Sequence, residues 1–359
     1  MLYKIKPLET LFFRDGSPFT MGAETVANFV FPPYPSIVYG AIRSWLISER
    51  GGLTKFYNGE FETELGTPQK KGNLKVKGIF VGIVNVLYFQ IPQDLLQNEK
   101  ELKSLNFVSK SNLMISDYEL ENALVNKSDE LLEEPEGFID VDDLIRYLKE
   151  GETTLKSTHS EKIYMIERKI GIKRNIKTLT SEEKHLYSIP MIRMKENASL
   201  FVEIDGLNDY PKRGLIKIGG EGKTCEIERC EEDLLKDLKE LEFDFENNIF
   251  KCYLATPAIF EKGWLPKWID EENLEGEYEG VKVKVIGCSI GKYNFIGGWD
   301  IAKKEPKLMY KAVPAGSVYY FKVLNGVNSN KIKEVFHLKN ISDVNPEEGF
   351  GLNFIGKVK

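Results

Sequence analysis

FPPYPSIVYGAIRSWLISER, residues 31–50, decides how the chain begins to fold. Pro33 and Pro35 stiffen its start, apolar side chains then recur at helical spacing, and Gly51-Gly52 follows, so a helix is predicted over 36–50. Upstream, Leu2 to Lys6 alternate like a strand. Downstream, Asn73 to Pro92 is rich in Val, Ile, Tyr and Phe and reads as two strands. A strand, a helix and two strands make the first part of a βαββαβ unit.

The rest of the chain extends that order. Strands are predicted at Ser199–Asp205 and Gly214–Lys217, and a charged helix at Glu231–Glu242 closes the first half. A second series starts at Ile249 with IFKCYLATPAIF. It continues through a β-rich run (Val281–Phe295), a strand (Ser317–Val323), a helix (Asn328–Lys339) and a glycine-bearing turn into a last strand (Gly349–Val358). The expected fold class is α+β: two tandem ferredoxin-like, RNA-recognition-motif-like βαββαβ domains. Residues 1–245 form the first and 246–359 the second, which ends in a glycine-rich loop. Residues 93–161, charged and weakly helical in period, read as a long insertion in the first domain, with Asp140 capping a helix from 141 to 149.

With 359 residues, 42% hydrophobic and 29% charged, the chain has room for two globular cores. Its net charge of −6 means that any nucleic-acid contact must come from a local basic surface. Lys4, Lys6, Pro7 and Glu9 break up any apolar leader. The uncharged stretch Gly78–Pro92 is short of the roughly 20 residues a membrane helix needs, so no membrane partner is expected. Four cysteines make no disulfide framework in a chain of this length, which points to a reducing cytoplasm.

The basic residues cluster. ETLFFRDG (9–16) presents Arg14 in an exposed turn, and the 36–50 helix carries Arg43. EKIYMIERKIGIKRNIK (161–177) holds Lys162, Arg168, Lys169, Lys173, Arg174 and Lys177, with Tyr164 and Gly171 among them, and Tyr187 and Arg193 extend it. Lys and Arg neutralise phosphates, and aromatic faces stack on unpaired bases. A solvated charged face is the ordinary alternative. Ile163, Ile166, Ile170, Ile172 and Ile176 interleave with the charges, so the segment is expected to be anchored to a core.

Glycines cluster in GLIKIGGEGKT (214–224), IGGWD (296–300), VPAGSVYYF (313–321) and EGFGLNFIGK (348–357), where backbone can approach a phosphate or simply turn. GGEGKT is not a nucleotide-binding loop: Lys217 stands where the first glycine is needed, and Cys225–Arg229 alternates like a strand. The three histidines, His159, His185 and His337, have no metal-type partners, and Cys225 and Cys230 are poorly spaced for zinc. Asp140, Asp142 and Asp143 read as helix capping. No metal, cofactor or catalytic set is expected. Trp264 and Trp268, in a Pro/Gly loop flanked by charge, are expected either to anchor a partner or to cap the second domain's core.

PLETLFFRDGSPF (7–19), FPPYPSIVYGAIRS (31–44), IGGWDIAKKEPK (296–307) and AVPAGSVYYF (312–321), in this order, resemble the third-subunit family of the type III-B CRISPR effector, the Cmr complex. The closing GFGLNFIGK (349–357) is similar to the glycine-rich loop of the wider RAMP superfamily. The resemblance implies two ferredoxin-like domains with no catalysis of their own, serving antiviral RNA-guided defence. It implies binding of the 5′ repeat-derived tag of the guide RNA, and docking onto the large palm-domain subunit and a RAMP backbone subunit. Arg14, Arg43 and the Lys169–Arg174 segment become RNA-binding positions. Gly219, Gly220, Gly222, Gly297, Gly298, Gly349, Gly351 and Gly356 become phosphate or packing turns. The alternative is a guide-processing endoribonuclease of the same superfamily. Such enzymes tend to carry a His early in the first domain, and here the first 158 residues hold none.

Overall fold

Tyr3 and Ile5 are fully buried in the strand Leu2–Pro7 (β1), which lies at the centre of an antiparallel sheet. The computed structural model describes residues 1–16, 28–98, 101–110, 120–127, 129–150, 155–300 and 304–358, with backbone alone at 173 and 181–186. After β1 come the helix Pro35–Glu49 (α1) and the strand Lys75–Ile83 (β2). Later strands are Tyr164–Arg174 (β3), Ser181–Met194 (β4), Ala198–Asp205 (β5), Arg213–Ile218 (β6) and Lys223–Arg229 (β7). Five strands of this seven-stranded sheet run in the order β6-β7-β1-β5-β2, antiparallel at each pairing, with Tyr3 opposite Val202 on one side and Arg229 on the other. The prolines place Pro35 at the first turn of α1, and Val38, Ile42, Trp45 and Leu46 bury its apolar stripe. Trp45 meets Tyr3 edge-on at 5.8 Å. A Cβ on Gly214 would fall 2.3 Å from the indole nitrogen, so glycine in β6 makes room for the ring.

The second series gives Ile249–Leu254 (β8), Glu275–Tyr278 (β9), Val281–Ser289 (β10), Val318–Val323 (β11), Lys339–Asn340 (β12) and Leu352–Lys357 (β13). Its order is β9-β10-β11-β8-β13-β12. Two further helices are Val141–Glu150 (α2) and Ser329–Phe336 (α3). Asp140 caps α2 as the sequence predicts, its Oδ1 accepting the Asp143 N–H at 2.8 Å, and Asn328 caps α3, its Oδ1 accepting the Lys331 N–H at 2.9 Å. The core is aromatic, with Phe250, Phe321 and Phe336 in mutual ring contact.

The chain divides into two compact units interleaved in sequence. Met1–Val84, Glu161–Glu231 and Phe295–Lys311 form the first, and Asn85–Ser160, Glu232–Asn294 and Ala312–Lys359 the second. Strands β1–β7 precede residue 245 and β8–β13 follow 246, while residues 93–160 fall in the second unit, where their strand Phe138–Asp140 pairs with Val86–Gln90. The cause is α2: Leu144, Tyr147 and Leu148 are buried, and Gly356 of β13 leaves the space that Leu148 fills. Around α2 the segment is also more β than its period suggests, with short strands at Leu95–Asn98, Glu101–Ser104, Asn106–Ser109 and Asn122–Val125.

The charged helix expected at Glu231–Glu242 shrinks to Lys236–Lys239. Beyond it Phe243 and Phe245 stack at 5.4 Å, and Phe245 reaches Phe250 at 5.7 Å, which extended chain allows and a continued helix would not. No helix among the described residues is long and apolar enough to cross a membrane.

Candidate nucleic-acid interface

The segment after β1 is tied down at nearly every step. Leu11 exchanges backbone hydrogen bonds with Ile192 of β4 at 2.8 and 2.7 Å, Phe12 O accepts the Gly220 N–H at 2.8 Å, and Phe13 O accepts the Val30 N–H at 2.9 Å. Gly16 N–H donates to Phe295 O at 3.0 Å. Leu11, Phe12 and Phe13 are buried, so the exposed Arg14 stands on a fixed base. Beside it, burial pushes the Tyr34 phenol up to about 12, and Asp15 adds to the effect.

The glycines of this region act first as packing elements. A Cβ on Gly219 would lie 2.5 Å from Phe12 O, and one on Gly220 2.8 Å from the Phe12 ring. Gly222, at φ +60°, closes the turn. Gly16 faces the Gly297 nitrogen at 3.0 Å from its own would-be Cβ, which brings the Arg14 turn beside IGGWD. There Gly298 O accepts the Lys307 N–H at 2.9 Å, and Trp299 stands 58% exposed. The sequence signal for Trp299 is an aromatic beside the paired glycines of IGGWD.

The basic stretch is a long two-stranded ribbon. β3 and β4 pair with each other, from Tyr164 opposite Met194 to Ile172 opposite Leu186. The expected core anchorage holds only at the base, where Ile163 is buried and Met191 packs with Phe12, Phe29 and Ile189. Farther out, Ile170 is 69% and Ile176 91% exposed, and Ile166 and Ile172 are also exposed, because among the described residues no third strand or helix covers them. Gly171 faces Tyr187 across the ribbon, and a Cβ there would overlap the Tyr187 ring at 2.1 Å. Tyr164 packs on Phe31 at 4.5 Å.

The basic side chains fall into two groups. Arg193 is held by Glu167 across the ribbon, with Nη2 to Oε2 at 2.9 Å, and its hydrogen bond draws that carboxyl below the usual range. Lys169 Nζ reaches Glu221 Oε1 at 2.6 Å, and Lys223 Nζ bridges Glu9 at 2.9 Å and Glu221 at 3.2 Å. These bonds, Lys169 first, lower the Glu221 carboxyl. Lys162, Arg168, Arg174 and Lys177 are exposed, and among the described residues no side chain pairs with them. The Lys173 side chain lies outside the described residues, as does that of His185.

Arg43 is corrected. Its Nε donates to Leu65 O at 2.7 Å, its Nη2 to Thr67 O at 2.6 Å, and its guanidinium lies 5.1 Å from the Phe56 ring centre. Helical spacing shows that Arg43 is rigidly placed, but not that a following loop curls back to use both arms of the fork. The closing loop is packed inside as well. Residues 349–356 are buried: Thr256 Oγ1 donates to Gly349 O at 2.7 Å, and Gly351 N–H donates to Pro257 O at 2.8 Å. Gly349, Gly351 and Gly356 are core glycines.

The two tryptophans part company. Trp268 sits among Tyr278, Phe321 and Phe336 at ring distances of 5.2, 6.0 and 6.1 Å, which makes it core. Trp264 is 37% exposed. His337 is a core residue as well: Nδ1 accepts the Ile355 N–H at 3.3 Å and Nε2 lies 2.7 Å from Leu238 O, so burial leaves it neutral, lowered to about 4. His159 is exposed. Among the described residues, no group of His, Cys, Asp or Glu is arranged to hold a metal ion.

The family model of the CRISPR-associated protein Cas_Cmr3 matches residues 3–358. A chain in the cryo-EM structure of the type III-B Cmr-beta bound to cognate target RNA and AMPPnP (state 1) superposes with a TM-score of 0.51 at 18% identity, covering 89% of this chain and 86% of that one. A chain of the type III-B Cmr-beta bound to cognate target RNA gives 0.51 at 19% identity with the same coverage. At these identities the likeness is one of fold, mostly antiparallel sheet with few helices. No curated protein matches the sequence. Since the family model spans almost every residue from the first strand to the last, the chain belongs to the Cmr3 family of CRISPR-associated proteins.

Proposed function

We propose that the chain is a non-catalytic RNA-binding scaffold subunit of a type III-B CRISPR effector. In this reading it holds the 5′ repeat-derived tag of the guide RNA and bridges the large palm-domain subunit to a RAMP backbone subunit. The observation that carries it is the ribbon. A chain of net charge −6 presents Lys162, Arg168, Arg174 and Lys177 exposed on one projecting element, with no side-chain partner among the described residues. Unpaired cations on an acidic protein are the electrostatic footprint of a polyanion site. Arg14 and Trp299 would add a phosphate contact and a stacking face from the tied-down turn. The similar cryo-EM structures contain cognate target RNA, which supports RNA as a partner. Exposed Trp264 is the residue we assign to a protein interface.

The strand orders support a ferredoxin-like reading of both halves. β7-β1-β5-β2 and β13-β8-β11-β10 each place the first strand between the third and the fourth, the order of a βαββαβ sheet. Each keeps one crossover helix, α1 in the first and α3 in the second.

Photocrosslinking tests the function. In an assembled effector, guides with photoreactive bases in the 5′ tag should crosslink to the ribbon or to the 14–16 and 297–299 turns. Crosslinks confined to the middle or 3′ end of the guide would exclude tag binding. Metal-independent cleavage of repeat RNA that is lost in His159→Ala would favour the endoribonuclease.

A further inference from the structure

Three adjacent strands of the second sheet set Tyr320, Lys251 and Gly356 side by side, since Lys251 of β8 pairs with Tyr320 of β11 and with Gly356 of β13. Paired positions point to one face of a sheet. Gly356 leaves that face open, because a Cβ there would lie 3.0 Å from Lys251 Cε and 3.0 Å from Leu148 of α2. The lysine stem therefore runs beneath α2, and Nζ stands 3.2 Å from the centre of the Tyr147 ring.

Lys251 is 2% exposed, yet among the described residues nothing accepts a hydrogen bond from its ammonium. Buried Asp94 is the carboxylate whose charge acts on Lys251, and its oxygens are engaged otherwise: Tyr147 donates to both at 2.7 Å and Tyr320 to one at 2.6 Å. Burial lowers Lys251 to about 8, against the pull of Asp94, so the amine stays mostly charged at neutral pH. An aromatic face stabilises a cation without satisfying three N–H donors.

A cleft of about 250 Å³ opens over this amine, lined by Asn106, Phe107, Lys127, Lys251, Tyr320 and Lys357, with Asp94 in its wall. Phe107 stacks on Tyr320 at 4.3 Å and 14°, which fixes one side. Three lysines against one phenol-bound carboxylate make the cleft electropositive. Its volume falls below the roughly 300–1,000 Å³ of sites for drug-sized ligands, and suits a tetrahedral anion or two linked ones.

We propose that this cleft is an anion site for one phosphate-bearing group, either free phosphate or pyrophosphate or the 5′-phosphate of a mononucleotide, with Lys251 as its buried ligand and Lys127 and Lys357 completing it. The proposal goes beyond the tag-binding reading and stands apart from it, since every residue of the cleft belongs to the second unit and the ribbon to the first.

Calorimetric titration of the full chain with sodium pyrophosphate, and separately with AMP, tests it. Saturable single-site binding should appear with at least one probe, and the tighter of the two identifies the source. Lys251→Met should weaken that binding by about ten-fold or more, with a circular dichroism melt equal to or above that of the parent, because an apolar stem replaces a buried charge. Acetylation of Lys251 by an N-hydroxysuccinimide acetate, read by peptide mass on the parent chain, should slow when the probe is bound. That arm decides the matter even if the methionine variant misfolds. No saturable heat at millimolar pyrophosphate or AMP, unchanged affinity in Lys251→Met, or undiminished acetylation would each overturn the proposal.

Discussion

The ribbon Tyr164–Met194 and the closing segment Gly349–Lys357 both look like RNA-contacting elements in sequence, and the fold treats them oppositely. The first carries charge and interleaved isoleucines, and it stands out in solvent with Ile170 69% exposed. The second carries glycines and one lysine, and it is buried along almost its whole length. Glycine permits close approach without naming what approaches. Around Gly351 the approaching group is the chain's own backbone, with Ser342 N only 2.5 Å from where a Cβ would be. Charge is less ambiguous, since an unpaired Arg or Lys is rarely taken into a core.

Gly351→Ala should give the largest effect. The residue combines a φ of +71° with that close contact, so both strain and overlap oppose a methyl group. A loss of about 2–4 kcal/mol in a urea melt is expected. RNA affinity, measured where the protein is still folded, should not change. A variant that melts normally but loses RNA would return the closing loop to the interface and dissolve the contrast with the ribbon.

His337 probes the same strand from its other side, because its Nδ1 accepts from Ile355 of β13. Burial lowers its pKa from 6.5 to about 4. Between those values the unfolded chain takes up a proton that the folded chain refuses, so stability is full above about pH 6.5 and falls as the pH drops towards 4. The loss is on the order of 3 kcal/mol across that window. His337→Gln should be less stable at neutral pH and flatter through the window. An unchanged slope would show that the ring is not held neutral against β13.

Main strands and helices were legible because periodicity reports burial on one face, and β1, α1, α3 and β13 lie close to where alternation, prolines and helical spacing place them. The ribbon's partnership was not legible. Among the described residues β3 and β4 have no other strand partners along most of their length, and a pattern of Ile between charges is the same whether one face is covered or both are wet. The site was half legible for a similar reason. Residue type picks out Arg168 and Arg174, which no described side chain engages, but only the folded chain shows that Lys169 and Arg193 are engaged by Glu221 and Glu167.

Arg43 lies between the two extremes, charged like the ribbon and committed like the glycine loop. Arg43→Ala leaves the carbonyls of Leu65 and Thr67 without their donors. It should cost about 1–3 kcal/mol of stability, and Arg43→Lys should recover little, since one ammonium cannot reproduce the fork. Tag affinity of the folded variant should stay within about two-fold. A normal melt with a large loss of tag binding would move Arg43 back to the RNA surface.

The smallest effect on stability belongs to the ribbon itself. Arg168, Arg174 and Lys177 are exposed, and no described side chain depends on them. Replacing all three with Ala should shift the melt by no more than about 0.5 kcal/mol per site. Function is where the change should appear. If each residue neutralises one phosphate of single-stranded RNA, the slope of log affinity against log salt should become shallower by about 0.7 per residue removed. Binding of the tagged guide should weaken by about 1–3 kcal/mol for each residue that makes a charged hydrogen bond. The Arg193→Ala control, which removes a side chain already held by Glu167, should change the salt slope far less. Specificity separates tag recognition from general phosphate contact: guides with and without the tag would lose equally if the ribbon reads only charge, and the tagged guide would lose more if it holds the tag. If the triple variant keeps its slope and affinity, the exposed charge is a solvated face, and the ribbon and the buried loop would be alike in lacking RNA contact.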